Sequence, residues 1–185
     1  MEFPVARPDV VGAIHQRWLL KFWMRHRGLG RVPRWQSVDA ESLKPVSDNL
    51  SLLDVAAGAN GPRFLIRFHG ATIAEVYGSA DCRGKYLDEI VRDRGNGQAL
   101  AAYRCAVEGG APVYTVHDIA DRDGRPVQYE RLLLPFARDG ETVDRVLASF
   151  EFFSPEGAFA RARLLASQHT PPALRLAATI AAATV

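Results

Sequence analysis

The chain has 185 residues, 48% of them apolar and 24% charged, with a formal charge of +2 at pH 7. That length suits one domain with a full core, and that balance excludes wholesale disorder. Of the 23 cations 20 are arginine, but they are scattered rather than gathered in a run, so no nucleic acid is expected as a partner.

In chain order, Val11, Ile14, Trp18 and Phe22 recur at helical steps, with Leu19 and Trp23 widening the stripe. This spacing predicts an amphipathic helix over 9–26, with Asp9 as N-cap and Gly28 and Gly30 ending it. Its tryptophans need a cover, either the domain's own sheet or the same helix of a second copy, which makes Trp18, Phe22 and Trp23 a candidate homodimer interface. Residues 33–45 read as an irregular connector in which Asp39 or Ser42 caps a short turn. LSLLDVAA (50–57) and RFLIRFH (63–69) read as a hairpin around Asn60-Gly61-Pro62. Helical signals follow: ATIAEVYG and KYLDEIV are short, and QALAAYRCAVE (98–108) is rich in helix formers.

Residues 113–121 and the stretch PVQYERLLLPFARDGETVDRVLASFEFF (126–153) read as three consecutive antiparallel strands. Asp123-Gly124 and Asp139-Gly140 join them, the glycine supplying the positive φ of a tight turn. Ser154-Pro155-Glu156 has the residues of a helix start, so a C-terminal helix is expected to about Gln168, with a last Ala-rich piece after Pro172.

Cys82 and Cys105 show neither a disulfide framework nor metal-ligand spacing, and MEFPVARPDV lacks the apolar core of a signal peptide. A cytoplasmic protein is expected. Residues 173–185, interrupted by Arg175, fall short of the roughly 20 apolar residues of a membrane-spanning helix, so no membrane insertion is expected.

The order of two strands, a helical cluster and a three-strand meander resembles the PAS domain superfamily. RFHGATIAEVYGSADCRGKYLDEI is similar to the PAS segment in which a strand enters a helix and a glycine turn leads to the next one, and YERLLLPFARDGETVDRVLASFEF to the last two strands. With the tryptophan helix and a connector of Arg-Pro-Trp type, here RVPRW at 31–35, the chain resembles a small bacterial stand-alone PAS-like family. The implied fold is α+β: a five-stranded antiparallel sheet with a helical cluster on one face, plus N-terminal and C-terminal helices. The expected division is 1–48 for the N-terminal helix and connector, 49–153 for the PAS-like domain and 154–185 for a helical tail.

In PAS domains ligands sit between the helical cluster and the inner face of the sheet. Haem ligation by a histidine on the long helix is argued against, because 98–108 has none. A cysteinyl-flavin adduct is argued against too, since three positions past Gly84 stands Leu87 and Cys82 lies on the other side. The cofactor is therefore unknown. Polar residues within the apolar strands are the ligand-binding candidates, because a buried polar group needs a partner. These are Arg67, His117, Tyr129 and Arg131, with Tyr103 from the long helix; an inward arginine could fix a carboxylate. Alternation puts Tyr129 and Arg131 on one face of their strand and Gln128 and Glu130 on the other, without saying which is inward. Against this stands a solvent-facing or ion-paired role for the arginines. His117 and Asp118 point to opposite faces and make no dyad.

The functional expectation is a sensory or regulatory module binding a small molecule or a separate effector protein. The alternatives are a ligand-free interaction module and, less favoured, a small cone-shaped α+β enzyme recruiting Asp118 and Tyr129. No catalytic or metal-binding constellation is assigned.

Overall fold

Two glycines shape the centre of the molecule. Gly124 and Gly140 adopt φ of +80° and +86°, which a side chain would resist, and the aspartates nearby lock both turns. Asp121 Oδ1 accepts from the N–H groups of Asp123 and Arg125, and Asp139 Oδ1 from those of Glu141 and Thr142. The structure is a computed structural model and describes residues 3–78, 81–91, 96–166 and 172–181.

The helices are α1 (Ile14–Arg27), α2 (Ala71–Tyr77), α3 (Leu87–Ile90) and α4 (Asn96–Gly109). The strands are β1 (Val5–Ala6), β2 (Leu50–Ala56), β3 (Arg63–His69), β4 (Val113–Ala120), β5 (Pro126–Ala137), β6 (Val143–Phe153) and β7 (Ala173–Ile180). They form one sheet in the order β1-β7-β4-β5-β6-β2-β3. Within it β2 to β6 make the expected five-stranded antiparallel unit, the first hairpin, β2–β3, pairing through β2 with β6. Both PAS phrases of the sequence fall inside this unit.

The C-terminal expectation needs correction. Residues 154–166 form turns, with Gly157 at φ +86°, rather than a helix, and the Ala-rich segment is strand β7. The end of the expected helix and most of the Thr170-Pro171-Pro172 break lie outside the described residues. β7 runs antiparallel to β4 and parallel to β1, so it satisfies the backbone of an otherwise open β4 edge. Tertiary pairing here overrides the helix propensity of alanine. Its Leu176, Ala178 and Ile180 then face the core under α1.

Both faces of the sheet are covered. On one, Val113, Val127, Leu133, Val146, Ala148 and Phe150 pack against Ile73, Val76, Leu87, Tyr103 and Ala106 of the helical cluster. On the other, Leu132, Leu134, Phe136 and Leu147 pack against Leu19, Leu20, Phe22 and Trp23 of α1. Asp9 does not cap α1; it lies in a 3-10 turn over Pro8–Val10, and Ala13 occupies the N-cap position. Asp39, by contrast, caps the 3-10 helix Ala40–Asn49 by accepting from Glu41 N–H.

Two polar devices hold α1 down. The indole of Trp23 donates to the Pro135 carbonyl at 2.6 Å. Pro135 sits on the side of β5 where β4 has ended at Val113, so its missing N–H breaks no ladder bond. At the other end of α1 the buried Glu130 carboxylate accepts from Ala13 N–H, and the Gln16 amide donates to the Glu130 and Ser149 carbonyls. Gly12 leaves room for this carboxylate: a Cβ there would stand 2.8 Å from Glu130 Oε1 and force it to shift.

Candidate functional site

Strand alternation decides which polar residues meet. On β4, Thr115 and His117 lie on the face toward α4, and directly opposite them on β5 lie Arg131 and Tyr129. Tyr103 of α4 completes the group, packed on Phe64 at 5.0 Å between ring centroids. All five are between 1% and 6% exposed. On β5, Tyr129 and Arg131 therefore face the helical cluster, while Glu130 faces α1.

Within this group His117 and Tyr129 stack almost parallel, centroids 4.5 Å apart at 5°, and Phe152 continues the aromatic wall beside Tyr129. The Arg131 guanidinium lies 5.4 Å from the centroid of the Tyr103 ring, in cation–π contact. Its Nε and Nη2 are buried and have no hydrogen-bond partner among the described residues, and the same holds for Thr115 Oγ1 and His117 Nδ1. Three neighbouring side chains thus bring unpartnered polar atoms to one patch, against the rule that buried polar groups are paired.

The electrostatics follow from burial. Desolvation, helped by the Arg131 charge, pulls His117 from 6.5 down to about 3, so the imidazole is neutral at physiological pH. Burial pushes the Tyr103 hydroxyl up to about 12 against the opposing pull of Arg131, and raises Tyr129 in the same way. Tyr77, at the end of α2, is also raised by burial, with Tyr103 and Tyr129 adding to the rise. The patch is therefore a single permanent cation among neutral, hydrogen-bonding aromatics.

Of the expected residues, Tyr103, His117, Tyr129 and Arg131 come together. Arg67 does not join them: it points to the opposite side of β3 from Phe64 and Ile66, exposed, and donates from Nε to Asp54 at 2.6 Å. Asp54 also accepts from Arg145 on β6 at 3.1 Å, so the ion-paired alternative holds for Arg67. It does not hold for Arg131, since Glu151 lies on the other face with Asn49 and His15. Thr115 and Tyr77 were not singled out from the sequence; a threonine in a β-branched run reads as an ordinary strand former. Asp118 and Tyr129 cannot act on one substrate group, because Asp118 is on the outward face beside Arg175 at 3.6 Å.

Phe22 and Trp23 are buried against the chain's own sheet, while Trp18 is 42% exposed and stacks on Phe22 at 5.5 Å. Cys82 is buried, and Cys105 on α4 lies 3.6 Å from the Thr179 hydroxyl. Among the described residues no group of three or more His, Cys, Asp or Glu could hold a metal ion, and no helix is long and apolar enough to cross a membrane.

No curated protein matches the chain. Among solved structures it is similar to a LOV protein of Rhodobacter sphaeroides, 19% identical with a TM-score of 0.45 over 65% of this chain and 71% of that one. It is also similar to a light-oxygen-voltage domain studied with a flavin analogue, 16% identical with a TM-score of 0.45 over 63% of this chain and 84% of that one. An RNA-binding light-oxygen-voltage receptor is 16% identical, with a TM-score of 0.44 over 64% of this chain and 35% of that one. These likenesses are too distant to carry a ligand or an activity across. The family model described as PAS domain matches residues 13–151, from the start of α1 into β6, and includes Tyr103, Thr115, His117, Tyr129 and Arg131. PAS domains are sensory or regulatory modules and not typically enzymes, and with the strand order and the buried inner face in agreement, this chain belongs to the PAS domain family.

Proposed function

We propose that this PAS domain senses a small molecule held between α4 and the inner face of β4 and β5, in contact with Tyr103, Thr115, His117, Tyr129 and Arg131. It acts in the cytoplasm and passes occupancy on through a homodimer or a separate effector protein. The observation that carries this reading is Arg131. A buried guanidinium with two nitrogens lacking a partner among the described residues costs several kcal/mol, and such a cost is maintained where a ligand completes the group. An interaction module with a core filled only by its own side chains offers no reason to place Thr115, His117 and Arg131 side by side. The dimer reading rests on α1, where Ile14 and Trp18 are exposed one turn apart.

Native mass spectrometry of freshly purified protein tests the ligand. A co-purified small molecule that is released on denaturation is the expected result. A preparation that carries none, and whose melting temperature no added small molecule raises, overturns the reading.

A further inference from the structure

The Arg131 nitrogens without partners are Nε and Nη2, and this pair is informative. Their N–H bonds run parallel along one edge of the guanidinium and match the spacing of two oxygens on one carbon, which is the side-on bidentate geometry of arginine with a carboxylate. The Thr115 hydroxyl, directly across the ladder and also without a partner, adds a third hydrogen-bonding atom at the same place. Arg131 is the only cation among the five residues of the patch, and the rest of the wall is the flat apolar surface of Tyr103, Tyr129, Phe150 and Phe152. One cation balances one negative charge; a dianionic phosphate ordinarily draws on more donors and more positive charge than this patch holds.

We propose that the ligand is a small monocarboxylic acid with a flat apolar body. Its carboxylate is held side-on by Nε and Nη2 of Arg131 with help from the Thr115 hydroxyl, and its body lies against the aromatic wall. This deepens the ligand-binding reading above and rests on it.

The probe is benzoate, with benzamide as a neutral control of the same shape and inorganic phosphate as the competing anion. Each is titrated calorimetrically into the full chain, alongside native mass spectra of the same preparation. Benzoate is expected to bind, with benzamide and phosphate at least about tenfold weaker, the scale set by losing charge-assisted hydrogen bonds. Arg131→Met is expected to weaken benzoate at least about tenfold. Arg131→Lys, which keeps the charge but loses the parallel edge, is expected to weaken it as well, and it serves if the methionine variant does not fold. Without ligand, Arg131→Met is expected to melt at or above the parent temperature, because an unpaired buried charge has been removed.

Equal binding of benzoate and benzamide, preference for phosphate, or a co-purified molecule lacking a carboxylate overturns the carboxylate assignment while leaving a small-molecule sensor in place. An Arg131→Met protein that melts well below the parent and binds benzoate unchanged also overturns it, by making Arg131 structural. A chain that binds none of the three overturns the carboxylate assignment, and one that also carries no co-purified molecule and gains no melting temperature from any added small molecule overturns both readings.

Discussion

His117 shows how one side chain ties the site to stability. It is 3% exposed, stacked on Tyr129, and its Nδ1 has no hydrogen-bond partner among the described residues. Its folded pKa of about 3 lies below the ordinary 6.5, so between those values the unfolded chain binds a proton that the folded chain does not. Stability contributed by neutral His117 is present above about pH 6.5 and is lost as the pH falls toward 3. Linkage puts the loss through this residue at about 2 kcal/mol between pH 7 and pH 5. His69, lowered to about 4 chiefly by desolvation, adds to the same window. Chemical denaturation at the two pH values is expected to show a smaller fall for His117→Phe, which keeps the stacked ring but cannot take up the proton. An unchanged fall would mean that His117 is not held neutral.

At the scale of elements, β5 is where the two halves of the molecule meet. Glu130 points to α1 and Arg131 to the helical cluster, one residue apart, because consecutive strand residues face opposite sides. The Glu130 carboxylate receives Ala13 N–H at 3.1 Å near the positive end of the α1 dipole. Glu130→Gln is therefore expected to loosen α1 by about 1 kcal/mol, read as faster amide exchange over residues 14–27 with the β5–β6 ladder unaffected. Equal loosening of that ladder would show instead that Glu130 supports the whole sheet.

The strand β7 makes a second prediction at this scale. It covers β4, which would otherwise be an apolar edge open to pairing with another chain. A chain cut before Ala173 is expected to associate with rising concentration in light scattering, and to lose protection along β4. A monodisperse, equally protected truncated chain would show that β7 is only an appendage.

For the whole molecule, the covered outer face changes where a partner can sit. In this chain α1 occupies the sheet face opposite the helical cluster, with Trp23 and Phe22 spent on the core. What α1 offers to a second copy is its outer side, Ile14 and Trp18. Sedimentation of the purified chain is expected to show a homodimer that Trp18→Glu weakens at least about tenfold, a charge at the centre of an apolar contact costing well over 1.4 kcal/mol. A monomer at high concentration, or a dimer untouched by the substitution, would remove α1 as the interface.

The division between what sequence and tertiary structure decided follows from the range of the forces involved. The Asp-Gly turns, the β2–β3 and β5–β6 hairpins and the helices α1, α2 and α4 were legible because positive-φ glycines, strand alternation and helical periodicity act over a few residues. Tyr129 and Arg131 could be placed on one face, but not inward, since the polar pair Gln128 and Glu130 alternates with them and both faces are buried. The residues 173–180 read locally as helix, and only the open edge of β4 made them a strand. Arg67 and Arg131 look alike in sequence, a single arginine in an apolar strand; Asp54 and Arg145, brought alongside from β2 and β6, made one an exposed ion pair, while the packing of α4 left the other buried, with two nitrogens lacking a hydrogen-bond partner among the described residues. Local signals settled the helices and strands from α1 through β6 and which of their side chains share a face, but not the C-terminal strand. Which faces are covered, and so which charged side chain is buried, came only from the folded arrangement, because burial is set by elements far apart in the chain.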